Sequence, residues 1–493
     1  MDREARPACF GTSQAHPGSP PRAIASRPTH RAPPRPLSRA TRQHSPQRPH
    51  WSGPAVASRR ERDVRRVEPH SPEPFGAYDD EFGKYCSSVR VRLWNGGLFR
   101  QGSRPPCQAC CVTASPRPAI WDVAIVGLGP AGRALAHRAT ALGATVVSVD
   151  PLPRRSWTAT YAAWEDELPS WLPRDAVETR TSRPAAWTTR RHIIDRTYCV
   201  LNTPLLQSIL SRECGTVLPG RAVDLSPTSV QLDGGSTLEA HVVVDARGTG
   251  DSPDLAQQTA YGVVVDPDTA AHALAGEAAV FMDWRRDNGT SPSDAPSFLY
   301  GVPLAHDRFL LEETCLVGRP PLPISELATR LHDRLRQRGV TAPSHSDVER
   351  VRFAVEPPPE AGRAHSSDQV RFGARAGLMH PGTGYSVAAS LLCADVLARD
   401  LRDGSNARLW SWKARTVASL RSVGLRVLLN LDAEHVPEFF EHFFDLPPQL
   451  QAAYLSERSN PRGTLSAMGR MFRASSGDIR SVILRSTLRR EVR

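Results

Sequence analysis

Residues 121–150, WDVAIVGLGPAGRALAHRATALGATVVSVD, constrain the fold more than any other part of the chain. Val123–Val126 is the short apolar run of a strand buried on both faces. It leads into Gly127, Gly129 and Gly132, a G-x-G-x-x-G. The first glycine permits a tight turn, the second lets backbone approach a pyrophosphate, and the third lets the next helix lie close on the sheet. Ala131, Leu135, Ala136, Ala139 and Leu142 then recur at helical spacing, and Gly143 closes the helix. Ala144–Val149 reads as a second strand and delivers Asp150, 18 residues beyond Gly132, where an acid accepts the ribose hydroxyls of an adenosine. A glycine motif alone is weak, but flanked by strand, helix and a correctly spaced acid it predicts a dinucleotide-binding unit.

Two later segments favour FAD over a nicotinamide. HVVVDARGTG (241–250) is a second buried-strand pattern that breaks into D-A-x-G at Asp245–Gly248. In the aromatic-hydroxylase class of flavoproteins such a strand end lies against the flavin nucleotide. In RFGARAGLMHPGTGYSVAASLL (371–392), the turn Pro381, Gly382, Thr383 and Gly384 feeds a helix expected to begin near Tyr385. A helix N-terminus aimed at the flavin pyrimidine would place partial positive charge there and favour an anionic, reduced flavin.

Charge excludes a nucleic-acid role for the body of the chain. Of the net +11, all is carried by residues 1–120, with 20 Lys+Arg against 9 Asp+Glu, which leaves 42 of each sign beyond. Residues 1–118 are rich in Pro, Arg, Ser and His without apolar period and are expected to be a disordered basic extension. Prolines and the early acids Asp2 and Glu4 argue against an organelle-targeting helix, so a cytoplasmic protein is expected and a plastid one is the alternative. Cys107, Cys110 and Cys111 have no second pair at zinc spacing, so no metal site is expected. No run of about 18 apolar residues suggests a membrane span.

Six segments resemble the lycopene cyclases of the plant and actinobacterial type. They are TYAAWEDEL (160–168), FMDWR (281–285), PSFLYGVPL (296–304), FLLEETCL (309–316), GLMHPGTGY (377–385) and EFFEHFFDLP (438–447). They stand in that family's order. Leu310 replaces a Phe of the family pattern, and Ala162 replaces a Gly, which raises the question of backbone strain at Ala162.

The resemblance implies protonation of a terminal double bond of lycopene, attack of the next double bond on the cation, and loss of a proton. It also implies bound reduced FAD, with NAD(P)H as electron donor and no net redox change. Such chemistry needs a carboxylic acid kept protonated near neutrality by apolar burial. Glu312 and Glu313 lie in a strand-like apolar run, so only one can face the polyene; the resemblance favours Glu312. Asp283 is a further candidate acid, or else a structural partner of Arg285. Tyr161, Trp164 and Trp284 are candidate aromatic faces for the cation. Glu165, Asp166 and Glu167 either cap a solvated turn or orient a loop over the flavin. His380 either moves protons or makes a structural hydrogen bond. Phe439, Phe440, Phe443 and Phe444 form one helical apolar face, as core or as a lip toward a bilayer-dissolved substrate.

The expected architecture is α/β: a Rossmann-type FAD-binding domain from 119–250 and 365–400, a mixed-sheet substrate domain over 251–364, and a helical C-terminal region from 401. The expected protein is a lycopene β-cyclase with peripheral membrane contact. An FAD-dependent monooxygenase or reductase acting on another isoprenoid, and an adaptor acting through the basic tail, are the alternatives.

Overall fold

Val123–Val126 and Val146–Val149, apolar at every position but Ser148, are buried throughout and pair in parallel at the centre of the first sheet. The computed structural model describes residues 120–250, 253–341, 346–357, 369–405 and 408–488; the expectation for residues 1–118 lies outside them. Trp121–Val126 also pairs in parallel with Thr237–Asp245, and Val146–Asp150 with Thr216–Pro219. The short strand Val370–Arg371 joins the end of Thr237–Asp245. Helices Pro130–Ala141, Thr203–Arg212 and Val387–Arg402 bury their apolar stripes together on one face.

The other face departs from a doubly wound sheet. It is covered by the antiparallel strands Ser229–Leu232 and Ala222–Leu225, whose Val230 and Leu232 pack on Val126, Val147 and Val149. An antiparallel ribbon hides an apolar face as effectively as a helix does.

A second, mixed sheet runs in the order Val348–Ala354, Gln257–Val265, Arg308–Gly318, Phe298–Ala305, Val280–Asp283, Ala185–Trp187 and Arg191–Ile193. Its last two strands come from within the segment expected to belong wholly to the nucleotide-binding domain. Three-residue strands cannot display an alternation, so nothing in the sequence marks them. On one face of this sheet lie the helices Pro267–Ala273 and Ile324–Gln337; on the other lie the C-terminal helices. Successive residues of Arg308–Gly318 therefore meet different surroundings. Leu311 belongs to the helix-covered side and Leu310 to the side of the aromatic C-terminal region.

Ala162 sits in the extended strand Ala162–Trp164, paired with Val200, and is not among the described non-glycine residues with positive φ. The substitution therefore brings no strain. The C-terminal region is helical, from Trp412–Asn430 to Gly477–Leu488. Phe440, Phe443 and Phe444 are buried against Phe281 and Met471, so this face is core rather than a lip. Among the described residues no helix is long and apolar enough to cross a membrane.

Candidate active site

The glycine turn opens on a cavity of about 510 Å³ bordered by Gly127, Gly129, Asp150, Arg155, Arg247 and Gly248. Gly132 does not border it: a Cβ there would stand 1.9 Å from the Gly127 carbonyl oxygen, so helix and turn are pressed together. The two oxygens of Asp150 accept from the backbone N–H groups of Leu128 and Leu152, each at 2.8 Å, which ties the glycine turn to the end of the second strand. Helix Pro130–Ala141 begins at Gly129, and helix Val387–Arg402 at Ser386, neither with a side-chain cap. Both Gly129 and Ser386 border the cavity. Free helix N-termini beside a cavity are sites for negative charge.

Asp245 stands behind this cavity rather than in it. Its carboxylate is bound by Arg247 at 2.9 Å and Arg375 at 3.2 Å. Burial pushes its carboxyl up, but the Arg247 bonds and the two arginine charges outweigh burial and hold it below the ordinary value. Asp245 thus fixes Arg247, which does border the cavity.

Tyr161, Ser386 and Val387 are shared with a second cavity of about 360 Å³. Thr383 and Gly384 border this one, whereas Pro381 and Gly382 complete the turn behind them. His380 holds that turn: its Nδ1 accepts from the Gly382 N–H at 3.1 Å, and its Nε2 lies 3.3 Å from the Tyr454 carbonyl. Burial, then the Arg421 charge, keep its pKa well below the usual value. His380 is therefore a neutral structural residue with both nitrogens engaged. A cradle for a pyrophosphate, continuous with a cavity at a second helix N-terminus, fits an extended dinucleotide such as FAD.

The second cavity is mostly apolar, walled by residues such as Phe281, Met282, Leu310, Leu316 and Phe353. Its acids are Glu312 and Glu349. Glu312 is 8 % exposed and accepts one hydrogen bond, from Thr314 Oγ1 at 2.8 Å. Burial, reinforced by the charge of Glu349, pushes its carboxyl up to about 8. It is thus a protonated acid at neutral pH, facing an apolar space.

The other two candidate acids, Glu313 and Asp283, lie in an ion network away from the cavity, and Asp283 makes the Arg285 contact that was one of its two expected roles. Glu313, on the opposite side of the strand, is fully buried and receives Arg334 at 2.8 and 3.0 Å, Asn288 at 2.8 Å and Ser297 at 2.6 Å. Asp283 is bound by Arg285 at 2.6 Å and Arg338 at 2.8 Å. Burial pushes its carboxyl up, but those arginines, with Arg334, hold it below the ordinary value. Arg334 and Arg338 also pair with Asp287, which closes a balanced ion network under the sheet. Neither acid borders the cavity.

Of the candidate aromatics, Tyr161 borders the cavity; Trp164 and Trp284 pack behind it. Sequence reasoning missed Tyr198 and Tyr300, which with Tyr385 form a linked group. The Tyr198 hydroxyl lies 2.6 Å from that of Tyr385 and 3.2 Å from that of Tyr300. Burial raises all three pKa values, so the phenols stay neutral. Glu165 and Asp166 pair with Arg180 and Arg196, and Glu167 with Arg196 and Ser456, so this turn is tied to its neighbours.

The model of the family described as "Lycopene cyclase protein" matches residues 122–481. The chain is 30% identical over 382 residues to a chloroplastic lycopene beta cyclase of Arabidopsis thaliana, covering 69% of this chain and 75% of that one. It is 31% identical over 393 residues to an uncharacterized carotenoid cyclase of Deinococcus radiodurans, covering 75% of this chain and 94% of that one. A chloroplastic neoxanthin synthase of Solanum lycopersicum is similarly related, at 30% over 380 residues, covering 69% and 75%.

Proposed function

The chain belongs to the lycopene cyclase family, and from that premise we propose that it closes β-rings at one or both ends of lycopene without net redox change. The carrying observation is Glu312, an acid raised to about 8 inside an apolar cavity that adjoins a dinucleotide cradle. Its proton goes to the terminal double bond and leaves a tertiary cation. The next double bond attacks that cation, one carbon–carbon bond forms, and a proton leaves a carbon beside the new cation. Atoms and charge balance with no electron gained or lost. Reduced FAD, when bound, supplies diffuse negative charge beside the cavity.

The protein's own residues hold the cation without trapping it. Neutral Tyr198, Tyr300 and Tyr385, with Phe281, offer ring faces worth about 0.5–2 kcal/mol each to a nearby cation. Because burial keeps the three phenols protonated, no phenolate is present to add to the cation. Gly129 and Ser386, at the two uncapped helix starts, and Asp150 would hold the dinucleotide. NAD(P)H is the proposed source of electrons for the flavin, and contact with a bilayer the proposed route for a substrate insoluble in water.

Purified protein supplied with lycopene in liposomes and deuterated water tests this reading. Each ring should carry one solvent-derived deuterium, with far less than one NAD(P)H consumed per ring. The rate should fall as pH rises through about 8, where Glu312 loses the proton that the reaction needs. One nicotinamide oxidised per product molecule would instead mark a monooxygenase or reductase.

A further inference from the structure

Ring closure, as proposed above, moves a proton twice: onto one carbon and off another. Glu312 becomes a carboxylate after the first transfer, so the second requires an acceptor near a different carbon. The sheet presents one. Tyr300 lies directly opposite Glu312, Glu312 opposite Gly262, and Gly262 opposite Glu349, in one row across four adjacent antiparallel strands. Directly opposed residues share a face, so Glu312 and Glu349 point into the same space with one strand between them. At about 4.8 Å per strand their backbones stand roughly 10 Å apart, within joint reach of one ring-sized group.

Gly262 lets neighbouring side chains close in over the strand between them: a Cβ at that position would come within 2.7 Å of Leu310 Cδ1 and 3.3 Å of Glu312 Cβ. Glu349 is held in place by Thr160: its two oxygens receive the Thr160 N–H at 2.8 Å and the Thr160 hydroxyl at 2.6 Å, which leaves lone pairs free. Among the described residues no ion pair involves Glu349, whereas Glu313 and Asp283, on the same sheet, are neutralised by arginines. The acids of this sheet are thus divided: two locked in a network, two bordering the cavity.

We infer that Glu349 is the base that removes the proton released on ring closure, and that its position selects the carbon from which the proton leaves. The C–H bond beside the cation breaks, its electron pair becomes the ring double bond, and the proton passes to the Glu349 carboxylate. Return of that proton to the Glu312 carboxylate restores both groups. This assignment rests on the cyclase reading.

The test compares wild-type protein with Glu349→Gln and Thr160→Val in the liposome assay, at pH 6 and pH 8. Gln keeps an oxygen acceptor for Thr160 but cannot take a proton. Glu349→Gln should slow turnover by about 10²-fold or more at both pH values, and its residual product should contain isomeric ring ends from proton loss elsewhere. Thr160→Val, which removes only one anchoring bond, should leave the ring type unchanged. Wild-type rate and ring type for Glu349→Gln at pH 6 would overturn the assignment, since loss confined to pH 8 would mean that Glu349 acts only through its charge on Glu312. If the Gln variant does not fold, Glu349→Asp is read the same way: slower turnover with new ring isomers supports the base, and unchanged rate and product overturn it. Failure of the wild-type protein itself to form rings would instead strike the cyclase reading.

Discussion

Glu312→Gln is expected to slow ring closure by about 10²–10⁴-fold and, above neutral pH, to make the folded protein more stable. The two effects share one cause. Glu312 holds its proton up to about pH 8, against an ordinary value of 4.5. Below the ordinary value both the folded and the unfolded chain are protonated there, and the group contributes no difference. As pH rises, the unfolded chain releases the proton first, so stability declines with pH until the folded pKa is passed. At about 1.4 kcal/mol per pKa unit, the cost of keeping this acid above pH 8 reaches a few kcal/mol. Gln carries no such cost. The melting temperatures of the two proteins should coincide near pH 4 and diverge by several degrees by pH 8, with the variant higher. Parallel curves would show that Glu312 is an ordinary ionised carboxylate and unfit as the acid.

Glu313→Ala should do the opposite: destabilise the fold by about 3–5 kcal/mol, because it leaves Arg334 buried without its main partner. Arg334 is fully buried and donates to Glu313 through two nitrogens, at 2.8 and 3.0 Å. Removing both charges, as Glu313→Leu with Arg334→Met, should cost much less than the single change, since the loss comes from the orphaned charge more than from the pair. Denaturant titration of the three variants measures this. Equal losses for the single and double variants would mean that the network contributes packing alone.

These neighbouring glutamates show what the chain discloses and what it withholds. Strand alternation predicts that Glu312 and Glu313 face opposite sides, and they do. Which side carries the arginines depends on the helix Ile324–Gln337, further along the chain, so local pattern could not separate the cavity glutamate from the arginine-paired one. For Asp283 the neighbouring partner Arg285 was legible, but the second, Arg338, is 55 residues away. The nucleotide unit was legible because its glycines, helix and Asp150 are contiguous. Glu349 was not, although Glu349, Val351 and Phe353 alternate on the cavity face. Arg350 and Arg352 between them make VERVRFA read as a solvated edge strand. Tyr198 stood in no motif and Tyr300, although within PSFLYGVPL, carried no sign of its partner; only the packing of separate sheets brings their hydroxyls together. The covering of the first sheet by strands instead of helices was equally hidden, since an antiparallel ribbon and a helix satisfy the same apolar face.

The most direct measurement is pigment analysis of bacteria that accumulate lycopene and express this chain. The account predicts that lycopene is replaced by carotenoids bearing β-rings at one or both ends, and that Glu312→Gln leaves lycopene in place. Lycopene persisting beside soluble, flavin-loaded wild-type protein would contradict it.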